Sequence, residues 1–296
     1  MSNVISLRGN AIEQTAPSTT SPIMFTAYER PLWYEGKTGT KFGNTGHKAL
    51  VRMINDKPVC LNVVGEGYKL VQNAELFELV ERQLTGSLQS TQLDNMVIKD
   101  QIAFNGAVCM REYRFPNINV PTPENNLIHF KVNVYNGFGT GSIKLLAGGE
   151  DQICTNGMVR FHGDATYAKH TKGLELARFD KVVTRAIDLF WHERSKWSML
   201  QKTVIRDEKK VHDWLIEKFG ERLGNKLFHQ YNVERMSRGG NNLWALYSAL
   251  TYYASHDTGE FTLRKTGNDH AAATMMKRQL EVSKHLNSAE FELLAA

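Results

Sequence analysis

The chain has 296 residues, 36 Lys and Arg against 31 Asp and Glu, a formal charge of +5 and 42% apolar residues. That balance excludes a wholly disordered chain, because the apolar content suffices for a core. No run reaches the ~20 apolar residues of a membrane-spanning helix, and the N-terminus lacks the apolar stretch of a secretion signal; Cys60, Cys109 and Cys154, far apart and without C-x-x-C spacing, argue for reduced thiols in a cytosol.

Residues 1–22, with Pro17-Ser18-Thr19-Thr20-Ser21-Pro22, show no hydrophobic period and read as a disordered arm. Residues 23–171 read mainly as β. Trp33-Tyr34, Lys37 and Lys41 form an aromatic and basic cluster in a loop rich in Gly and Thr, residues 35–46. Residues 48–54 and 58–64 read as strands around a turn at Asn55-Asp56-Lys57. Asn73 reads as the cap of a helix with Leu76, Leu79, Val80 and Leu84 on one face and Gly86 as its stop. Residues 103–115 read as one strand, Phe104, Val108 and Met110 on one side, Cys109, Arg111 and Tyr113 on the other. Over 128–135, Ile128, Phe130, Val132 and Val134 alternate with His129, Lys131, Asn133 and Tyr135, which predicts a core face and an open face. Residues 142–146 repeat the pattern, with Ile143 and Leu145 inward and Lys144 outward.

From Lys172 the period becomes helical. Residues 174–199, 206–219, 221–231, 242–256 and 269–286 are the predicted helices, punctuated by Gly220, Gly239-Gly240 and Gly259, with Asn268 as cap of the last. Residues 288–296 read as the packed end of a helix. The fold class expected is α+β: a β-rich half with an antiparallel sheet (23–171) packed with a helical half (172–296) as one compact unit.

The charge is unevenly spread. Residues 1–171 hold 16 basic and 15 acidic residues, 172–238 hold 15 and 10, and 239–296 hold 5 and 6. The excess lies in the middle block, where Arg206, Lys209 and Lys210 fall within two helical turns.

Sequence motifs for catalysis fail one by one. Gly36-Lys37-Thr38 ends like a phosphate-binding loop, but Pro31 stands where its first glycine is required. Gly137-Phe138-Gly139-Thr140-Gly141 has the glycines of a dinucleotide fingerprint, yet a strand follows instead of a helix, which favours a tight turn. Ten histidines include no H-E-x-x-H, and no G-x-S-x-G elbow is present. No catalytic residue, metal or cofactor is therefore expected.

The outward strand residues are more informative. Arg111, Tyr113, Lys131, Tyr135 and Lys144 share one sheet surface if their strands are neighbours. Cations that track phosphates beside rings that stack on bases suit a single-stranded nucleic acid. Trp33, Lys37, Lys41 and Arg52 are a second group of candidates, and Arg206, Lys209 and Lys210 a third. The competing reading of the first group is a polar face covered by the C-terminal helices.

Three ordered segments resemble a phage- and plasmid-borne family known as domain of unknown function 932. They are residues 64–73, ending in Val71-Gln72-Asn73; Asn133-Val134-Tyr135-Asn136-Gly137 followed by Ile153-Cys154-Thr155-Asn156-Gly157; and Asn242-Leu243-Trp244-Ala245-Leu246-Tyr247. The sequence departs from that family at Tyr135-Asn136, where His-Asp is usual. It also resembles the single-stranded-DNA-binding cofactors of RNA polymerase in N4-related phages. The resemblance implies a viral, non-enzymatic DNA-binding protein of the host bacterial cytoplasm, acting in phage transcription or replication with single-stranded DNA and a phage RNA polymerase as partners. The alternatives are a single-strand annealing recombination protein, which would assemble as a homo-oligomer, and a nucleic-acid enzyme or anti-restriction protein.

Overall fold

A computed structural model describes residues 3–4, 21–35, 41–121, 127–139, 141–151, 166–179, 182–256, 261 and 271–295. The first strand, β1 (Asn3–Val4), lies inside the segment expected to be disordered. It pairs antiparallel with Val97 and Ile98.

A three-stranded antiparallel sheet is built from β2 (Tyr28–Glu35), β3 (Lys41–Ile54) and β4 (Lys57–Gly65) in that order. At the expected β3–β4 turn, Asn55 and Asp56 sit at φ 50° and 59°. A two-residue hairpin of this hand needs two left-handed residues, and Asn and Asp tolerate that conformation best among side-chain-bearing residues. The second sheet runs β1-β5-β6-β7-β8-β9, with β5 (Val97–Ala103), β6 (Val108–Pro121), β7 (Leu127–Gly137), β8 (Ile143–Asp151) and β9 (Thr166–Ala168), all neighbours antiparallel.

The single strand expected over 103–115 is in fact two. Phe104, Asn105 and Gly106 take φ of 52°, 54° and 101°, and this left-handed run turns the chain between β5 and β6. Phe104 consequently lies exposed in the turn instead of beside Val108 and Met110. The glycine-rich run after β7 leads through Gly139, at φ 74°, into β8, so it is a hairpin turn.

One face of the large sheet carries Cys109, Phe115, Ile128, Phe130, Val132, Val134, Ile143 and Leu145, all buried. It packs against α1 (Asn73–Ser87) and α3 (Val182–Lys202), with Phe190 of α3 5.2 Å from Phe130, ring centre to ring centre. The opposite face carries Val108, Met110, Tyr135 and Leu146 and is covered by Ala273, Met276 and Leu280 of the seventh helix, α7 (Ala271–Leu286). Between lie α2 (Ser90–Leu93), α4 (Glu208–Phe219), α5 (Glu221–Ser237) and α6 (Leu243–Ser255). Helix α6 is buried almost all round, as a helix without a polar face must be, and α3, α5 and α7 surround it. The main buried cluster runs from Ile23 to Leu294, so strands and helices share one core.

Local chemistry sets most helix ends. Asp207 caps α4 by accepting the Lys210 N–H, Asn242 caps α6 through the Ala245 N–H, and Gly220 at φ 79° separates α4 from α5. Four expectations about helix ends are corrected. Residues Leu176–Phe179 form a short 3-10 segment and α3 starts only at Val182; α5 continues past 231 to Ser237; and α1 runs through Gly86 to Ser87. Asn73 does not cap α1, because its side chain is used elsewhere. Gly259 and Asn268 lie outside the described residues. The chain ends in a single turn, α8 (Ala289–Glu292), followed by a 3-10 turn; Phe291 and Leu294 are buried. No described helix is long and apolar enough to cross a membrane.

Candidate nucleic-acid interface

Register decides which strand residues share a surface. Arg111 lies opposite Val134 and Tyr113 opposite Val132, whereas Met110 lies opposite Tyr135 and Tyr135 opposite Lys144. Directly paired residues point to the same side. Arg111 and Tyr113 therefore belong to the core face with α1, and Lys131, Tyr135 and Lys144 to the face beneath α7. The five do not form one surface.

Arg111 is the hub of a buried ionic cluster. Its Nε donates to Asp100 Oδ1 at 2.8 Å, its Nη2 to Asp100 Oδ2 at 2.9 Å and its Nη1 to Glu81 Oε1 at 3.1 Å. Tyr113 Oη donates to the same Glu81 oxygen at 2.9 Å, and Ser21 Oγ donates to Asp100. The guanidinium also lies over the Phe77 ring, 4.8 Å from its centre. Burial is the largest influence and opposes the charge, but the Asp100 hydrogen bonds and the attraction of Tyr113, Asp100 and Glu81 together outweigh it and hold the Arg111 pKa above the usual arginine value. Burial pushes the Tyr113 phenol well above its ordinary range. Both residues are committed to the fold.

On the other face, Lys131 is only 3% exposed, and its ammonium donates to Glu112 at 3.2 Å. Burial would raise the Glu112 carboxyl, yet Lys131 above all, with Lys99 and Arg114, keeps it below the usual carboxylate range. Tyr135 is buried under α7 and donates to Gln279 Oε1 at 2.9 Å. The competing reading of this face, a polar surface covered by a C-terminal helix, holds at these two positions.

Lys144 differs. It is half-buried at the sheet margin, and its ammonium lies 3.4 Å from Met276 Sδ of α7 and 5.8 Å from the centre of the Tyr167 ring. Among the described residues no carboxylate pairs with it. Burial lowers its pKa. Tyr167, directly opposite on β9, is 53% exposed, and Lys169 beyond it is exposed too. The arrangement is an unpaired cation above an open aromatic ring. Sequence reading missed Tyr167 because β9 has only three residues; the one signal was the alternation of Tyr167 and Lys169 with the buried Ala168 and His170.

In the second group, Arg52 lies over the Phe25 ring at 4.5 Å and is taken up below. Trp33 and Lys41 stand on the backbone of the β2–β3 hairpin, where Trp33 pairs with Asn44 and Glu35 with Lys41. Lys37 is outside the described residues. The hairpin's sheet adds an unforeseen ring and cation on its open face: Arg30 lies 5.9 Å from the centre of the exposed Tyr28 ring.

In the third group, Arg206, Lys209 and Lys210 are exposed, but acids surround the two lysines. Lys209 pairs with Asp213 at 2.7 Å, and Lys210 donates to the Leu293 carbonyl at 2.6 Å. The groove they line also presents Asp207, Asp213, Glu217 and Glu290. Even with Lys218 bridging Glu217 at 2.8 Å and Glu290 at 2.6 Å, the four carboxylates outnumber the ammonium groups beside them, which makes it a poor track for phosphates. Among the described residues no three His, Cys, Asp or Glu side chains gather to hold a metal ion.

Two of the segments that carry the family resemblance, 64–73 and 133–137, meet inside the fold. Asn136 Nδ2 donates to the Val71 carbonyl at 3.0 Å and to Asn73 Oδ1 at 2.8 Å, and Asn73 Nδ2 donates to the Ile23 carbonyl at 2.6 Å. Gln72 exchanges two hydrogen bonds with the Ala27 backbone at 2.9 and 3.0 Å. These side chains join β7, α1 and residues 23–27, while Asn242 caps α6 and Trp244 stacks on Tyr247 with ring centres 5.4 Å apart. Residues 153–157 lie outside the described residues. Compared with known proteins, the chain matches no family model, no curated protein and no solved structure.

Proposed function

We propose that this chain is a non-catalytic single-stranded-DNA-binding protein of a bacteriophage, acting in the host cytoplasm as a cofactor of phage RNA polymerase or in replication. The supporting observation is Lys144: a half-buried ammonium with no carboxylate partner among the described residues, held over the exposed Tyr167 ring. A cation kept without a counterion gains most from a ligand that brings a negative charge. An open ring beside it gains most from a flat partner. A phosphate with its neighbouring unstacked base supplies both, and duplex DNA, whose bases are stacked away, supplies only the first. The polymerase role rests on the resemblance alone.

Fluorescence anisotropy with single- and double-stranded oligonucleotides at two salt concentrations tests the reading. Lys144→Ala is expected to weaken single-strand binding and reduce the salt slope by about 0.7, one phosphate's share. Tyr167→Ala is expected to cost about 1–3 kcal/mol with the slope unchanged. Absence of binding at low salt, or equally tight binding of duplex, rejects the proposal.

A further inference from the structure

Arg52 poses a problem that the fold does not solve. Its guanidinium is half-buried, and among the described residues it has no hydrogen-bond acceptor and no carboxylate; the Nε–H is fully buried and unanswered. An arginine offers five donors, and a buried donor left unmade is a standing cost. Among the described residues its guanidinium carbon lies 4.5 Å from the centre of the Phe25 ring, and the Cys109 thiol is near enough to interact with it. Desolvation lowers its pKa.

The surroundings are shaped around this side chain. A methyl group on Gly106 would lie 3.0 Å from Arg52 Nη1 and 2.9 Å from Phe25 Cζ, so no larger residue fits without movement. Gly106 closes the turn in which Phe104 and Asn105 also adopt left-handed backbone, an outlying conformation for a bulky aromatic such as Phe104. Strain of this sort persists where the surrounding structure enforces it, and it clusters at binding sites. Phe104 and Asn105 are exposed in this β5–β6 turn.

We propose that Arg52, on its Phe25 platform beside the Phe104-Asn105-Gly106 turn, is an oxyanion site that takes a phosphate group, in the working protein a phosphodiester of bound single-stranded DNA. The planar fork of a guanidinium matches two phosphate oxygens, and a ring beneath leaves that fork free to point outward. This inference rests on the proposed DNA-binding role and deepens it. The β5–β6 turn beside Arg52 and the β7–β8 turn that leads to Lys144 lie at one end of the large sheet, linked by the Phe138 N–H to Ala107 carbonyl bond of 2.7 Å. Phe25 also meets Phe138, with ring centres 5.7 Å apart.

Two probes separate this site from the wider role. Thermal melting in inorganic phosphate is compared with chloride at equal ionic strength, for wild type, R52Q and R52K. Wild type is expected to gain melting temperature in phosphate, R52Q to lose that gain, and R52K to keep part of it. Anisotropy with a single-stranded oligonucleotide is expected to show roughly tenfold or weaker binding for R52Q, the size of one charge-assisted contact, with the salt slope reduced by about 0.7. An R52Q protein that melts cooperatively and keeps both the phosphate response and the slope overturns the site. If the wild type binds oligonucleotide through Lys144 while R52Q behaves as wild type in both assays, this inference fails alone. If Arg52 answers inorganic phosphate but no oligonucleotide binds, the phosphate site stands and the DNA-binding role falls.

Discussion

Arg111 shows how much a single side chain can hold. Replacing it with Ala leaves Asp100 and Glu81 facing each other without their cation and removes the contact with Phe77. Breaking a largely buried ion pair from one side costs about 3–5 kcal/mol, and urea unfolding of R111A is expected to show a loss of that order. The residue types on β6 and β7 were legible in the sequence, and so was the alternation within each strand. What sequence could not show was the pairing of one strand with the next. A shift of one residue exchanges the faces, and that step separated Arg111 and Tyr113 from Lys131, Tyr135 and Lys144. Buried cations with carboxylate partners look, in a sequence, the same as cations waiting for a ligand. Only Lys144 and Arg52, among the strand candidates whose side chains are described, have no acid at hand.

Elements whose limits depend on near neighbours were the legible ones. Asp207, Gly220 and Asn242 each act within a few residues, and the starts of α4, α5 and α6 fall within two residues of where the spacing put them, whereas the end of α5 does not. The turn at residues 104–106 carried a signal in Asn105-Gly106, a common turn pair, but the apolar residues on either side favoured one continuous strand. The role of Asn73 was hidden because its partners, Ile23 and Asn136, lie 50 and 63 residues away. Helix α5 supplies a test of packing against propensity. In an exposed helix interior, Gly to Ala gains about 0.8–1.0 kcal/mol. At Gly224 the added methyl would lie 2.8 Å from the Ile216 backbone of α4. Backbone cannot swing aside as a side chain can, so G224A is expected to lower the melting temperature, and a rise would refute the close α4–α5 crossing.

At the scale of the molecule, the two sheets meet through residues 68–70. Tyr68 forms a β-bridge with Thr171, its carbonyl accepts a hydrogen bond from Lys48 of β3 at 2.8 Å, and its hydroxyl oxygen accepts the Gly139 N–H at 3.1 Å. His170 stacks on the Tyr68 ring with centres 4.8 Å apart, and its buried Nε2 has no hydrogen-bond partner among the described residues. Burial lowers the His170 pKa, so the folded chain binds fewer protons than the unfolded chain below the ordinary histidine value of 6.5. Stability is therefore full above that value, falls as pH drops through it, and levels off below the folded pKa. His285, also lowered first by burial, adds a change of the same sign. Urea midpoints measured downward from neutral pH are expected to fall less steeply in H170Q than in wild type. The α+β class was readable in the change of period at Lys172. The joint between the sheets was not, because it depends on residues about 100 apart in the chain.

The half-buried ammonium of Lys144 also has a consequence for reactivity. Amines acylate only in their neutral form, and burial gives Lys144 a larger neutral fraction at mildly alkaline pH than an ordinary lysine has. Limited acetylation read by peptide mass mapping is expected to mark Lys144 ahead of the exposed Lys209, whose pKa is raised by its hydrogen bond to Asp213. An oligonucleotide lying over Tyr167 would erase that lead, which turns a feature of folding into a reporter of occupancy.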